Sequence, residues 1–482
     1  MTTRVVAGDS DQSMIHTLSD YYRIPDNSFD GVLPFVESTT KDAGFFQFGP
    51  SNICYGRCQS GVAADVAGSG EFDASKHVQC DSTTIHLPFD FTEVVGNIRL
   101  ERYRKKMSSG TKKFAAGESV RKLYYSIREF LPTSFRRRLQ RAYFSDWKEL
   151  PFPAWPVDFT VDNLHEEYLR LLMRASAATK IPFIWFWPEG AHSCLIMTHD
   201  VETSVGRDFT SMLMDLDDSY GIKASFQVIP EKRYAVSDEY VRQIRSRGFE
   251  FNVHDLNHDG NLYQDRSEFL RRAARINGYV KKYNSRGFRA GAMYRNEDWY
   301  DVFDFSYDMS VPNVAHLEPL RGGCCTVMPY FIGKILELPL TATQDYSLFH
   351  ILNDYTLDLW KEQLALIRAR NGLMSFIAHP DYLTERRERD VYEALLDYLR
   401  QLVEHEKIWA VLPGEVDRWW RARSQMSLVL RGDKWEIVGP EKERARLAYA
   451  VLDGDRVVYE LAGDSRSSND RGVLGSKEPA SS

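Results

Sequence analysis

Apolar runs of strand length alternate with amphipathic segments through the middle of the chain. Residues 193–198 and 249–253 are apolar runs typical of buried strands, and polar or charged side chains follow both. The apolar spacing predicts further strands at 223–230, 288, 305–309, 335–340, 373–379 and 409–412, and helices at 164–178, 207–220, 238–247, 266–283, 357–370 and 389–406. This alternation predicts an α/β fold, a distorted parallel (β/α) barrel of about seven strands.

Other patterns flank the barrel, which we expect to span residues 151–424. Residues 1–150 form an N-terminal accessory region with a basic segment. Period-two apolar runs separated by Gly-Asp turns predict a small antiparallel β module over residues 425–462. Residues 463–482 are polar and poor in apolar side chains, so we expect a disordered tail.

Charged and imidazole side chains follow two of the predicted strands. Asp200 and Glu202 follow the first strand, and His254 and His258 follow the second. The carboxyl ends of parallel strands share one face, where ligands bind in α/β folds, so these groups can converge. If residues 254–258 begin a helical turn, both imidazoles lie on one side of it, and a carboxylate from Asp200 or Glu202 completes a metal site.

The spacing alone leaves a second interpretation open. Two imidazoles four residues apart are a weak motif in a chain with 12 histidines. In that interpretation His254 only ends a strand and His258 is solvated.

Four motifs occur in order: Thr198-His-Asp-Val-Glu202, His254-Asp-Leu-Asn-His258, Gly287-Phe-Arg-Ala-Gly-Ala-Met-Tyr294 and Phe376-Ile-Ala-His-Pro380. Together they resemble the polysaccharide deacetylases, carbohydrate esterase family four, also called the NodB-homology domain. The resemblance covers roughly residues 190–420. The resemblance implies a metal-dependent hydrolase that removes an N-acetyl group from an N-acetylated sugar or glycan precursor.

The resemblance also implies a role for each motif residue. Asp200 matches the general base and Arg289 the residue that orients it, while His379 matches the general acid. Glu202, His254 and His258 match the metal ligands, with zinc as the first expectation and cobalt, manganese and nickel as alternatives.

Two further acids are candidates for pairing with these groups. Asp308 and Asp345 lie at or just beyond predicted strands, and either could pair with Arg289 or orient His379. We prefer Asp308 as the partner of Arg289, because the family usually carries an Asp after its Arg motif.

Two departures from the family pattern bear on function. Glu202 stands where the family usually has Asp, which bears on metal affinity. Residues 289–292 read Arg-Ala-Gly-Ala, without the usual aromatic, which bears on substrate class. Two rival functions therefore stay open: a C–N hydrolase acting on a small non-sugar amide, and a catalytically silent carbohydrate-binding homologue.

Composition and charge narrow the classes of partner. Apolar residues make up 43% of the 482 and aromatics 13%, enough for a large core, and the net charge of −7 gives no support to nucleic-acid binding. Residues 99–141 are rich in cations, including Arg136, Arg137 and Arg138. A solvated helical face is the first interpretation of this segment, and peripheral contact with an anionic membrane or lipid-linked glycan is the second.

Targeting signals and cysteines complete the expectations. The first 34 residues lack an apolar core of signal-peptide type, and the sequence contains no apolar run of 18 residues, so we expect a cytoplasmic protein. The six cysteines suit neither a disulfide framework nor a four-thiolate zinc site. The oligomeric state is not predicted.

Overall fold

A computed structural model of the protein describes most of the chain. The described residues are 9–25, 27–29, 32–36, 39–49, 52–59, 67–68, 72–81, 83–110, 138–139 and 141–463. Arg136, Arg137 and most of the basic segment fall outside them, as do residues 464–482 of the predicted tail, so the expectations for both stay predictions. Within the described part, no helix combines the length and apolar character needed to cross a membrane.

The N-terminal region consists of helices and short strands. Its elements are α1 (Asp9–Tyr22), β1 (Leu33–Val36), β2 (Gly44–Gln47), β3 (Ile53–Gly56), β4 (Gln79–Cys80), β5 (Thr84–Leu87), α2 (Phe91–Arg99) and α3 (Arg104–Gly110). Strand β5 pairs with β1 and β4, and β2 pairs with β3. Asp90 caps α2 by accepting a hydrogen bond from the N–H of Glu93 at 3.0 Å.

Strands and helices then alternate as predicted from the sequence. The elements are α4 (Thr160–Ala175), β6 (Lys180–Ile184), β7 (Ser193–Val201), α5 (Ser204–Ser219), β8 (Ala224–Val228), α6 (Asp238–Ser246), β9 (Glu250–His254), α7 (Arg266–Lys282), β10 (Gly287–Arg289), β11 (Tyr307–Asp308), β12 (Tyr330–Ile332), β13 (Ile335–Glu337), α8 (Asp358–Ala369), β14 (Leu373–Ala378), α9 (Arg386–His405), β15 (Ile408–Ala410) and α10 (Pro413–Ser424).

One curled sheet organises these elements. Its parallel strands follow the order β13-β11-β10-β9-β8-β7-β14, with β12 antiparallel at the β13 edge and β15 paired with the start of β7. A backbone hydrogen bond from Ala342 to the carbonyl of Ser375 (3.1 Å) reaches from the segment after β13 toward β14. The predicted α/β class is confirmed, and we describe the sheet as a half-barrel.

Alternate residues of the strands pack into different cores. Leu195 and Met197 of β7 pack with the helices that cover the sheet. Cys194 and Ile196 belong to a second core, shared with the N-terminal region and the C-terminal strands. Because successive side chains of β7 point to opposite faces of the sheet, this strand contributes to both cores.

The predicted antiparallel strands after residue 425 are present in the structure. They are β16 (Ser427–Arg431), β17 (Lys434–Val438), β18 (Leu447–Asp453) and β19 (Arg456–Leu461), which form two hairpins. Strand β18 also pairs with β6, which precedes the half-barrel in the chain. The second hairpin is therefore tied into the rest of the fold, and the division of the chain into domains stays a prediction.

Candidate metal centre

Three side chains converge at the carboxyl ends of β7 and β9. Glu202 follows β7, His254 is the last residue of β9, and His258 lies in the loop after it. They can offer ligand atoms that all lie within 4.8 Å of one another. The side chains of His254 and His258 are 1% and 6% exposed, and that of Glu202 is 20% exposed.

The two imidazoles present nitrogen atoms suited to metal binding. His254 Nδ1 lies 3.0 Å from the carbonyl oxygen of Arg289, which can only accept, so this nitrogen carries the proton and Nε2 keeps its lone pair. The Nε2 atom of His254 is buried and has no hydrogen-bond partner among the described residues, and the buried Nε2 atom of His258 faces the Glu202 carboxylate. Two converging imidazole nitrogens beside a carboxylate fit a divalent transition-metal ion.

Charge and burial act together on these three groups. Burial lowers the pKa of His254 to about 4, which keeps it neutral. His258 Nε2 lies 3.1 Å from Glu202 Oε1. Burial opposes the charged form of both groups, but their mutual attraction outweighs it, so the pKa of His258 is raised and that of Glu202 is lowered.

The helical turn considered for residues 254–258 is not formed. Asp255 and His258 have φ angles of 52° and 55°, in the left-handed region, so the segment is an irregular loop. Arg233 holds this loop by donating hydrogen bonds to the carbonyls of Asn257 (3.2 Å) and His258 (2.7 Å). The imidazoles converge through loop geometry that their spacing could not reveal.

Gly291 allows the loop that carries His258 to approach closely. A Cβ atom at this position would lie 2.6 Å from Asp255 Oδ2 and 2.9 Å from His258 Cδ2. The loop that carries His258 therefore packs directly against the backbone of Gly291, and any larger residue would displace it.

Asp200 lies beside the cluster and is held by Arg289. Arg289 Nη1 donates to Asp200 Oδ1 at 2.7 Å and to Thr198 Oγ1 at 2.8 Å, and its Nε donates to the carbonyl of Met309 at 2.9 Å. Burial alone would raise the pKa of Asp200, but the Arg289 charge and the nearby imidazoles outweigh it and the pKa is lowered. Asp200 is therefore an ionised carboxylate whose Oδ2 lies 3.8 Å from His254 Nε2.

His379 follows β14 and is paired with Asp345. Its Nδ1 lies 2.6 Å from Asp345 Oδ1, and its backbone N–H donates to Asp345 Oδ2 at 2.7 Å. Burial opposes the imidazolium, but the Asp345 carboxylate outweighs it and raises the pKa of His379 to about 10. The other ring nitrogen lies 3.9 Å from Glu202 Oε1, so a protonated imidazole borders the cluster.

The predicted pairing of Asp308 with Arg289 is wrong. Asp308 accepts hydrogen bonds from Tyr300 Oη (2.7 Å) and Ser310 Oγ (2.6 Å) instead. Phe288 is the strand partner of Asp308, so the Asp308 side chain leaves the sheet on the face opposite to Arg289. Asp308 is therefore not the partner of Arg289.

Asp381 and Arg233 are supporting residues that the sequence did not single out. Asp381 contacts the segment that carries Glu202, and Arg233 fixes the loop that carries His258. Both act on the backbone across long sequence separations, for which the sequence gives no signal. The sequence did raise Asp345 but left its role open.

Comparison with known proteins gives partial structural matches. A crystal structure assigned as a polysaccharide deacetylase from Mycobacterium smegmatis aligns over 52% of this chain and 98% of its own, at 17% identity and a TM-score of 0.40. The corresponding values are 49%, 92%, 12% and 0.39 for Puue allantoinase, and 48%, 92%, 12% and 0.30 for the peptidoglycan deacetylase PdaC from Bacillus subtilis. No family model and no curated protein matches the sequence. The expected resemblance to polysaccharide deacetylases is found among these matches, and the function proposed below rests on the side chains of the site.

Proposed function

We propose that the protein is a metal-dependent hydrolase that removes the N-acetyl group from an N-acetylated sugar or glycan precursor. One observation carries the proposal. The buried Nε2 atoms of His254 and His258 converge with the carboxylate of Glu202, between an ionised Asp200 and a protonated His379.

Glu202, His254 and His258 would hold the metal ion, with zinc as the first expectation and cobalt, manganese and nickel as alternatives. Such an ion lowers the pKa of a bound water from 15.7 to about 7 and polarises an acyl oxygen. The carboxylate of Glu202 within the donor set argues against the catalytically silent alternative.

Asp200 and His379 divide the proton transfers between them. Asp200 is ionised, and Arg289, which Thr198 helps to hold, positions it, so it can accept the proton of the attacking water. His379 keeps one ring proton on its hydrogen bond to Asp345 and can donate the other to the departing amine. Positioned acid–base groups of this kind each contribute about 10²–10⁴-fold in rate.

The protonated acid favours an amide substrate. An amine leaves poorly unless it is protonated, whereas an ester's alkoxide needs less assistance. His379, with its pKa raised to about 10, is charged at neutral pH and supplies that proton. The sugar part of the proposal comes from the motif resemblance, so the substrate screen includes small non-sugar amides.

The test combines metal analysis with an acetate-release screen. We expect one metal ion per chain in protein reloaded with Zn²⁺, Co²⁺, Mn²⁺ or Ni²⁺, and acetate release from N-acetylated sugars. Replacing His254 with Ala should remove the metal while the circular dichroism spectrum is retained. Asp200→Asn should keep the metal and abolish turnover, because an amide cannot accept the proton.

His405→Ala is the matched control, since His405 is an exposed residue near the end of α9. It should change neither metal content nor turnover. Unchanged metal content in His254→Ala would contradict the site. Release of ammonia or amine from small amides, with no acetate from any sugar, would favour the non-sugar hydrolase.

A further inference from the structure

Asp381 lies two residues after His379, and its carboxylate reaches the segment that carries Glu202. Its Oδ2 accepts a hydrogen bond from the backbone N–H of Glu202 at 3.0 Å, and its Oδ1 accepts one from the Thr203 hydroxyl. Both partners lie between the end of β7 and the start of α5. The carboxylate thus joins the loop after β14 to the residue immediately beyond β7.

Gly206 makes this approach possible. It lies in the first turn of α5, where a Cβ atom would come within 2.6 Å of the Asp381 carboxyl carbon. Glycine is less favourable than alanine in a helix. Its presence at this position is consistent with a required close contact between α5 and the Asp381 carboxylate.

Of the three proposed metal ligands, Glu202 most needs such support. The ladder between β7 and β8 ends at Val201, one residue before Glu202. The Glu202 side chain is also longer than Asp and is 20% exposed, so it retains rotamer freedom that binding would have to restrict. A fixed backbone at residue 202 reduces the number of positions available to its carboxylate.

Helix capping is the simpler account of these contacts, and the structure assigns that role to Thr203. Thr203 is the N-cap of α5, and its hydroxyl accepts a hydrogen bond from the N–H of Val205 at 3.1 Å. Asp381 accepts a hydrogen bond from the Thr203 hydroxyl, but it also accepts one from the N–H of Glu202, which precedes the cap. A capping role predicts a loss of folding stability only, whereas a positioning role predicts a loss of metal affinity.

We infer that Asp381 is a positioning residue that fixes Glu202 for metal binding and couples it to the loop that carries His379. The inference rests on the proposed function, because it takes Glu202 as a metal ligand. It also explains how a Glu placed beyond the strand end can serve where the family usually has an Asp.

The test measures the Kd for Zn²⁺ and Co²⁺ by chelator competition in Asp381→Asn and Asp381→Ala, with the thermal midpoint recorded separately. Asn keeps the shape of the Asp side chain, but its NH₂ group faces one of the two hydrogen-bond donors, the N–H of Glu202 or the hydroxyl of Thr203. We expect Kd to rise about 10-fold in Asp381→Asn and up to about 100-fold in Asp381→Ala, the range for losing support behind a metal ligand.

Asp90→Asn is the matched control. The Asp90 carboxylate also accepts a backbone N–H at the start of a helix, but in the N-terminal region. We expect it to lower the thermal midpoint slightly and to leave Kd unchanged. A Kd in Asp381→Ala equal to that of the parent would overturn the inference.

A double-mutant cycle with Glu202→Gln separates the positioning role from a general one. If Asp381 acts through Glu202, removing it in the Glu202→Gln background should change Kd less than twofold. An equal loss in both backgrounds would show that Asp381 acts independently of Glu202 and would refute the inference. Absence of metal binding by the parent protein is a separate outcome, which overturns the proposed function and the inference with it.

Discussion

A buried ion pair between Glu101 and Arg295 gives the sharpest test of how the N-terminal region joins the half-barrel. Both side chains are fully buried. Arg295 Nε donates to Glu101 Oε2 at 2.6 Å, and the N–H of Gly323 also donates to the Glu101 carboxylate. Arg104, at 3.2 Å, adds a second positive charge. The substitution Glu101→Gln keeps the shape of the side chain but removes its charge.

The pKa of Glu101 gives the size of the expected loss. Burial acts to raise this pKa, but the charges of Arg295 and Arg104 outweigh it and lower it from 4.5 to about 2. At about 1.4 kcal/mol per pKa unit, this shift corresponds to about 3 kcal/mol of stability at pH 7. That is close to the loss of about 3–5 kcal/mol observed when one partner of a buried pair is removed.

Glu297 can make the stability loss in Glu101→Gln smaller than this value. Burial and the charge of Glu101 raise the pKa of Glu297 to about 8, so Glu297 is protonated at pH 7. In Glu101→Gln the second of these causes is gone, and Glu297 can ionise as a substitute partner for Arg295. We therefore expect the single variant to lose up to about 3 kcal/mol, and Glu101→Gln combined with Glu297→Gln to lose more.

Urea denaturation followed by tryptophan fluorescence measures this loss, and its pH dependence has a definite sign. Because the pKa of Glu101 is lowered on folding, its contribution is present above about pH 4.5 and disappears as the pH falls toward 2. The difference in unfolding free energy between the parent and Glu101→Gln should therefore shrink as the pH falls from 5 to 3.5. Glu239→Gln, in an exposed pair with Arg242, is the control and should cost less than about 1 kcal/mol. A Glu101→Gln variant as stable as Glu239→Gln at pH 7, or a gap that does not change with pH, would refute the reasoning.

Two further predictions concern His379 and Glu318. His379→Ala should lose most amide hydrolysis but much less hydrolysis of an activated ester, whose leaving group needs no proton, and Asp345→Asn should do the same. Equal losses on the two substrates would rule out His379 as the acid. Burial raises the pKa of Glu318 to about 7, so the parent should lose up to about 3 kcal/mol of stability as the pH rises from 4.5 to 7. Glu318→Gln should remove that loss, because Gln has no carboxyl group to ionise and can still accept the hydrogen bond from Gln344. Urea titrations that give both proteins the same change in unfolding free energy between pH 5 and pH 8 would contradict this.

Much of the half-barrel was predictable because its signal is local. The period-two and helical patterns of residues 193–412 are each contained within one element, so every predicted helix of this segment is present within a few residues of its expected bounds. The convergence of Glu202, His254 and His258 followed from a rule about strand ends and not from their spacing.

The parts that the sequence did not reveal depend on conformation or on distant contacts. The left-handed residues Asp255 and His258 set the loop after β9, and although Asp and His adopt this conformation more often than most residues, they do so too rarely for the sequence to predict it. The face on which Asp308 points depends on the register of β11 against β10, which a two-residue strand does not encode. Pairing of Asp345 with His379 spans 34 residues, so no local pattern could assign it.

The two ion pairs that border the candidate metal centre set opposite protonation states by the same means. Arg289 is fully buried and cannot lose its charge, so Asp200 stays ionised despite its own burial. Asp345 is equally buried, and its pairing with His379 keeps that imidazole protonated. Because each partner would be left as an unpaired buried charge, neutralising Asp200 or His379 is costly. The proposed base and the proposed acid therefore have their protonation states set in the absence of substrate, and loss of Arg289 or Asp345 should change the protonation state of the site even where Asp200 or His379 itself remains in place.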